Sequence, residues 1–344
     1  ILVQARTHLR EMTSYFCEFA IRAKKQQSTC LHQLADKLKP QHPELTAASL
    51  RAKQAVDDFV VWLEDEKESK PAFSGIGEEN FNRYMREVHL VPYTWQDQVD
   101  MLKRELQRSL SALALEEHRN RDLPRLKPAS SLNKMQNLMK KSVAEFMNFL
   151  KEEDIFTVPD YMHLEIPVES FIPEEELDFF YHIYYRDPLP LLCHQVHWLE
   201  KQREERTSHP FRGTTLLSKL WDFRAEGLAT NFEEMMMNAG ILDDHPRARE
   251  LTWILLAFRA ARGIGGLMLH SGDFTLEEAM DFGSRYTPRG FAAPESGMLY
   301  GDYALYLSQP GYGTSYVVGK AQLDKLIARS EEHTSELQSP LCIS

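Results

Sequence analysis

Two histidines stand three residues apart near the middle of the chain, in the stretch LLCHQVHWLEKQ at residues 191–202. On a helix, residues at this spacing share one face, with about 5–6 Å between their Cβ atoms. His194 and His197 can therefore reach one metal ion, and two histidines with a carboxylate are a common zinc ligand set. Gln195, however, follows the first histidine, where a zinc hydrolase normally carries glutamate. Three interpretations stay open: a working metal site, one that has lost its chemistry, or two ordinary histidines.

A carboxylate for the third ligand position is available downstream, in FRAEGLATNFEE at residues 223–234. Glu226 or Glu233 can supply it, and Arg262 or His270 of the next apolar segment can support the ligands from behind. The spacing alone is weak support, because a chain with 13 histidines contains such pairs by chance. An ion pair with a neighbouring arginine explains either glutamate equally well.

Composition limits the classes of protein to which the chain can belong. Its 344 residues suffice for one large domain or two ordinary ones, and 43% hydrophobic with 26% charged residues are typical of a soluble globular chain. The net charge of −11 argues against nucleic-acid binding, which needs a clustered basic surface. The most apolar stretch, residues 251–270, contains Arg259 and Arg262. We therefore expect a buried core helix there and no membrane span.

Apolar residues recur at steps of three and four along most of the chain, which is the period of amphipathic helices. We predict a mainly α protein of many helices, with Thr94 and either Asp273 or Thr275 as N-caps. Residues 154–173 differ, because they alternate in polarity and contain three prolines. This pattern predicts a small β element of short strands and loops.

Two helical parts are predicted, an N-terminal one at 1–120 and a C-terminal one at 121–328 that carries the candidate site. We expect them to form one integrated domain. Residues 329–344 contain RSEEHTSELQS, which matches the translation of a sequencing-library adapter, so we interpret them as an artefactual tail. The chain begins with Ile1 rather than Met, so a leader would lie upstream. A cytoplasmic and an exported location therefore both stay open, as does the oligomeric state.

Four segments in the C-terminal half follow one another in a familiar order. They are EGLATNFE at 226–233, RGIGGLMLH at 262–270, GDFTLEEA at 272–279 and YLSQPGYGTSYVVGK at 306–320. In order and spacing they resemble the bacterial family known as domain of unknown function 885, and the resemblance extends over residues 1–328. No single segment is specific to that family. The resemblance implies a large multi-helix domain similar to zinc-dependent peptidases.

The same resemblance assigns roles to residues of this chain. His194, His197 and Glu226 stand where the metal ligands are expected, and zinc is the implied metal. The catalytic groups would come from Glu200, Glu233 and His270, with Glu200 or Glu233 as the base, whereas Arg262, Tyr306 and Tyr316 would line the site.

The chain also departs from the family at this place. Typical members carry His-Glu-x-x-Pro-Gly-His-His there, whereas this chain has Gln195, no Pro-Gly and an early second histidine. Glutamine cannot take a proton from metal-bound water. Two hypotheses follow. The chain is a divergent zinc hydrolase of peptide or amide bonds, or it is an inactive relative that binds a ligand or acts as a scaffold. In both, a small peptide or small molecule is the expected ligand.

Overall fold

The structure, a computed structural model, describes residues 1–155, 157–209, 218–294 and 297–334. Helices are the regular elements of these residues, and none of them lies in a strand. The predicted mainly α class is thus confirmed. The chain divides into two compact units, Ile1–Ile76 and Gly77–Ser344. Of the predicted artefactual tail, residues 335–344 lie outside the described residues.

The first unit contains three helices: α1 (Leu2–His8), α2 (Ser14–Leu38) and α3 (Pro43–Lys67). A four-residue connection, 39–42, joins α2 to α3, and so short a link makes the two helices antiparallel neighbours. Cys17, Phe59 and Leu63 are buried between them. The hydroxyl of Ser49 donates to the backbone oxygen of Leu31 at 2.8 Å.

The second unit carries the candidate site. Its helices are α4 (Gly77–Tyr84), α5 (Trp95–Arg119), α6 (Leu132–Glu152), α7 (Phe179–Tyr184), α8 (Leu189–His194), α9 (Val196–Glu204), α10 (Ser218–Ala239), α11 (Pro246–Ser271), α12 (Leu276–Arg285), α13 (Met298–Ser308) and α14 (Tyr312–Thr334). A π-helical turn spans Met85–His89, and 3-10 turns span Glu174–Glu176 and Pro288–Gly290. Thr94 and Thr275 cap α5 and α12 with capping boxes, as predicted.

Helix α11 is the centre of this unit. It is long and apolar enough to cross a membrane, but 94% of its most apolar window is buried inside the protein. It packs against α5, α12, α13 and α14, which cover it on several sides. Arg259 and Arg262 are buried with the rest of the helix, and each has a carboxylate partner. This arrangement fits the predicted core helix.

The compact units divide at a different place from the predicted parts. The sequence suggested parts at 1–120 and 121–328, whereas the contacts divide after Ile76. Helix α5 belongs to the second unit because it packs along α11. At its two ends, the Trp95 indole donates to the Leu267 oxygen at 3.0 Å, and the Asn120 amide donates to Glu250 at 3.0 Å.

The small β element expected at 154–173 is not found in the described residues of that segment. Its backbone pairs with side chains of the surrounding helices instead of with a neighbouring strand. The Gln136 amide donates to the Val168 oxygen at 2.9 Å, and the backbone N–H of Ile172 donates to the Tyr185 hydroxyl at 2.9 Å. Extended, proline-containing chain can therefore satisfy its polar groups without a sheet.

Helices α10 and α14 approach each other unusually closely. A Cβ atom placed on Gly227 would lie 2.5 Å from the Cα of Gly319, a distance that real Cβ atoms essentially never show. The two glycines therefore permit the contact of the two backbones. Glu226 precedes Gly227, so this contact brings the Glu226 carboxylate to the first turns of α14.

Candidate metal centre

The three predicted metal ligands come together in the second unit. His194 ends α8, His197 lies in the first turn of α9, and Glu226 lies on α10. Each offers one ligand atom, and these atoms all lie within 4.8 Å of one another. The Nε2 atom of His194 is 3.3 Å from Oε2 of Glu226. Ligand atoms about 2.0–2.1 Å from a tetrahedral zinc ion are about 3.3 Å apart, so the set fits zinc after a small closure.

The two histidines do not share one helix, as their spacing suggested. Helix α8 ends at His194, Gln195 forms a turn, and α9 begins at Val196. Pro188 and Pro190 at the start of α8 suit the first turn of a helix. The imidazole rings still lie 4.9 Å apart, since the single residue Gln195 separates the two helices.

A buried ion pair stands behind His194. The Nδ1 atom of His194 lies 2.9 Å from Oε1 of Glu233, and Arg259 donates to both Glu233 oxygens at 2.5 and 2.6 Å. Arg259 also approaches Nδ1 at 3.2 Å. When Nδ1 carries the proton it faces the Glu233 carboxylate, and the Nε2 lone pair is free for a metal. Carboxylates commonly orient metal-binding histidines in this way.

Tyr312 holds the carboxylate ligand. Its hydroxyl donates to Oε1 of Glu226 at 2.7 Å, which leaves Oε2 directed towards His194. Tyr312 was not among the site residues predicted from the sequence. The signal available was its position in the PGYG stretch, one helical turn before Tyr316. Only the close contact of α10 and α14 reveals its partner.

The electrostatics of the cluster favour a neutral His197 beside an ionised Glu226. Burial lowers the pKa of His197 to about 4, and the positive charge of Arg259 acts in the same direction. Burial by itself would raise the pKa of Glu226, but the contact with His194 and the hydrogen bond from Tyr312 outweigh it and lower that pKa to about 2. Neutral imidazole and carboxylate are the forms that bind metal.

A cavity of about 660 Å³ opens beside the two histidines. Both imidazoles and Gln195 line it, whereas Glu226 lies behind them. Most of the remaining wall is aromatic or aliphatic, including Phe180, Tyr184, Trp198, Ile166, Ile172 and Met139. The volume falls within the roughly 300–1,000 Å³ typical of sites for small ligands. The candidate ligands His194 and His197 therefore border a space that could hold a small ligand.

Arg262 and Tyr316 lie in the cavity wall. The Arg262 guanidinium is 4.6 Å from the ring centres of Tyr316 and Phe258. Its Nη1 donates to Asp302 at 2.8 Å. Burial raises the pKa of Tyr316 to about 12, so its hydroxyl stays protonated and can donate a hydrogen bond at neutral pH.

Neither glutamate suggested as a base faces the cavity. Glu200 lies 3.0 Å from Nε of Arg203 and 3.8 Å from Arg224, and Glu233 is fully buried against Arg259. These geometries suit a surface ion pair and an orienting carboxylate. Gln195 faces the cavity, but its amide nitrogen lies 3.2 Å from the Tyr184 hydroxyl.

His270 and Tyr306 lie together, away from the cavity wall. The His270 Nε2 atom is 3.0 Å from the backbone oxygen of Tyr306. Burial lowers the pKa of His270 to about 4. The Tyr306 ring packs against Gly266 and Gly313, which places it between α11 and α14. In this arrangement the two residues fix how α13 sits on α11, and neither reaches the metal ligands.

A larger groove of about 870 Å³ opens elsewhere in this unit, along α5, α10 and α14. Five of its charged side chains form ion pairs with one another: Arg108 with Glu105 and Glu234, and Lys320 with Glu234 and Asp324. Among the described residues, the one cluster able to hold a metal lies at the smaller cavity. We therefore place the candidate site there.

No protein-family model matches the chain, and no curated protein matches it. Solved structures do. One is a protein assigned as a lipoprotein of unknown function from Shewanella oneidensis, 13% identical, with a TM-score of 0.71 over 98% of this chain and 71% of that one. Another is assigned as a lipoprotein from Colwellia psychrerythraea, 14% identical, with a TM-score of 0.64 over 98% of this chain and 67% of that one. At these identities the likeness shows a shared fold.

Proposed function

We propose that this chain is a divergent metallopeptidase-like protein that binds zinc through His194, His197 and Glu226. Its ligand, a small peptide or amide, occupies the adjoining cavity. The observation that carries the proposal is the convergence of three buried ligand atoms within 4.8 Å at the wall of a cavity of about 660 Å³. The order of segments resembling domain of unknown function 885 supports it independently of the geometry.

Zinc suits these donors better than calcium or magnesium does. Two imidazole nitrogens and one carboxylate are borderline ligands, whereas the harder cations prefer sites made of oxygen alone. The second set of contacts suits zinc as well, because Glu233 supports His194 and Tyr312 supports Glu226. A bound zinc ion would act as a Lewis acid on a carbonyl group of the ligand.

The chain's own residues would bind and orient that ligand. Tyr316 offers a protonated hydroxyl in the cavity wall, suited to the carbonyl oxygen of an amide. Trp198 and Tyr184 provide apolar surface on which a side chain can pack. Glu233 holds the proton on Nδ1 of His194 and so keeps Nε2 free for coordination.

A second candidate function has its own support. In an inactive relative, the same cavity binds a ligand without cleaving it. The observation in favour is that none of the three positions considered for the base offers a free carboxylate: Gln195 replaces glutamate, and both Glu200 and Glu233 are held by arginines. Cleavage assays on short peptides with the zinc-loaded chain separate the two, since release of an amine above the rate of the His194→Ala variant supports the hydrolase.

The metal content of the purified chain tests the proposal. We expect about one zinc ion per chain after equilibration and dialysis, measured by mass spectrometry of the metal, and loss of that zinc in His194→Ala and His197→Ala. His270→Gln is the matched control, because it replaces a buried histidine outside the cluster. Wild-type protein that keeps no zinc, or a folded His194→Ala variant that keeps all of it, would contradict the proposal.

We also propose that the chain is exported. Support comes from the two structural neighbours, both assigned as lipoproteins. Fractionation of cells that express the full-length gene tests this point, and recovery of the protein with the cytoplasm alone would contradict it.

A further inference from the structure

Arg262 is a buried cation with unused hydrogen-bond donors. The residue is 2% exposed, and it lines the cavity. A guanidinium carries five N–H groups. Among the described residues it makes one hydrogen bond, from Nη1 to Asp302, and its Nε has no hydrogen-bond partner. Buried donors without acceptors destabilise a fold, so such an arrangement points to a ligand that completes it.

Of the two arginines in the cavity wall, Arg262 is the one whose guanidinium is available to a ligand, because the other is paired with a buried carboxylate. Arg259, one helical turn earlier on α11, has both terminal nitrogens on the buried carboxylate of Glu233. Asp302 binds Arg262 from one side only and is itself 19% exposed. Asp178 also lines the cavity, but it caps α7 by accepting from the backbone N–H of Tyr181 at 3.1 Å.

The shape of the site selects a planar anion. The rings of Tyr316 and Phe258 lie 4.6 Å from the Arg262 guanidinium, which fixes its orientation. A guanidinium held in this way pairs with a carboxylate through two parallel hydrogen bonds, which an amide cannot reproduce. The aromatic and aliphatic wall around it, with Phe180 and Ile172, suits the side chain of a terminal residue.

We propose that the cavity recognises the free C-terminal carboxylate of a short peptide, and that Arg262 binds it. This inference rests on the proposed function, because it names the class of peptide that the metal site would meet. Tyr316 lies between the two groups, with its ring 6.3 Å from that of His194 and 4.6 Å from the Arg262 guanidinium. A ligand bound by Arg262 would thus extend along Tyr316 towards the metal cluster.

The test compares two probes that differ at one group, benzoyl-glycyl-phenylalanine and its C-terminal amide. Binding to the full chain is measured by calorimetry, with intrinsic tryptophan fluorescence as a second signal, since Trp198 lines the cavity. We expect the acid to bind at least about ten-fold more tightly than the amide, as for other charge-assisted pairs. Equal affinity for the two probes, or no binding of either at about 1 mM, would overturn the inference.

Variants of Arg262 and Asp302 test which group causes the preference for the acid over the amide. Arg262→Met alone would leave Asp302 without its partner, so the informative variant combines Arg262→Met with Asp302→Asn. We expect this double variant to bind acid and amide equally, and Arg262→Lys to keep part of the preference. A folded double variant that retains the full preference would overturn the inference.

A carboxylate can also bind zinc, and His194→Ala separates that source from Arg262. We expect the preference for the acid to persist in this variant. If the preference for the acid disappears in His194→Ala but survives in the Arg262→Met, Asp302→Asn double variant, the metal binds the carboxylate and the inference is wrong. If wild-type protein holds no zinc yet prefers the acid, the proposed metal role fails while the Arg262 contact stands.

Discussion

Two histidines of the second unit each lie between two carboxylates, and yet the clusters differ in chemistry. His194 has Glu226 at Nε2 (3.3 Å) and Glu233 at Nδ1 (2.9 Å). His245 has Glu145 at Nε2 (3.0 Å) and Asp187 at Nδ1 (2.7 Å). At the first cluster a second histidine joins on the Glu226 side and a cavity opens. At the second, the described residues offer no such histidine that could share a metal.

The difference shows what distinguishes a candidate metal-binding cluster from a histidine that is stabilised in its protonated form. The hydrogen bond that His245 donates to Asp187 raises the pKa of His245, and the Glu145 charge adds to this effect. A histidine with a carboxylate at each ring nitrogen is therefore stabilised in its protonated form. At the first cluster Arg259 neutralises Glu233, burial keeps His197 neutral, and the ligand atoms gather on one side. A candidate metal site is thus distinguished by ligand atoms that converge on one point, and not by the number of carboxylates around a histidine.

The largest expected difference between the clusters comes from the same change in each, Glu233→Gln and Glu145→Gln. Glu233 is fully buried against Arg259, so its neutralisation leaves a buried cation unpaired and costs about 3–5 kcal/mol of unfolding free energy. Glu145 is 32% exposed, so its loss costs about 1 kcal/mol at most. Urea unfolding of the zinc-free chain measures both. Equal losses would contradict the buried ion pair as the support of His194.

Gly227→Ala tests the backbone contact that positions Glu226. Its Cβ would meet the Gly319 backbone at 2.5 Å, so α10 and α14 must separate, at a cost of about 1–3 kcal/mol. Zinc affinity should fall as well, while the His245 cluster keeps its behaviour. Gly301→Ala is the matched control, because nothing lies within 4 Å of its Cβ and alanine favours a helix. An unchanged stability in Gly227→Ala would contradict the close contact.

Tyr312→Phe removes one hydrogen bond from the metal cluster and leaves its ring in place. We expect zinc affinity to fall about ten-fold, as for other outer partners of metal ligands. Tyr303→Phe is the control, since the buried Tyr303 hydroxyl has no hydrogen-bond partner among the described residues. Competition with a chromophoric chelator measures both affinities. The same affinity in wild type and Tyr312→Phe would show that Glu226 needs no such support.

The sequence could predict the helical class because helical periodicity is a local property. The caps at Thr94 and Thr275 were predictable for the same reason. The segment 154–173 shows the limit of such patterns, because its alternation suggested strands while the side chains of Gln136 and Tyr185 take its backbone hydrogen bonds. Those partners lie on α6 and at the C-terminal end of α7, and no local pattern in 154–173 shows them.

The candidate metal ligands could be chosen from the sequence, whereas the side chains that orient them could not. The spacing of His194 and His197, with Glu226 from the resemblance, gave a set that the fold brings together. Glu200 looked equally suitable, one turn past His197, but Arg203 and Arg224 pair with it. Pairings of this kind depend on the register between helices, which is set by packing throughout the unit.

The smallest expected effect is a dependence of stability on pH at the His245 cluster. Because its folded pKa is raised above the unfolded value of about 6.5, its contribution is fully present below that pH and is lost as the pH rises through the folded pKa. The effect is on the order of 1 kcal/mol, since Glu145 is partly exposed.

Asp187→Asn isolates this contribution, because asparagine can still accept from the backbone N–H of Leu189 while the charge beside His245 is removed. Unfolding free energies measured above pH 6.5 should decline in wild type and stay flatter in the variant. His197 does not interfere there, because its lowered pKa, about 4, makes stability fall only as the pH drops below 6.5. Parallel curves above pH 6.5 would mean that His245 holds no extra proton, and the contrast between the two clusters would then lie in burial alone.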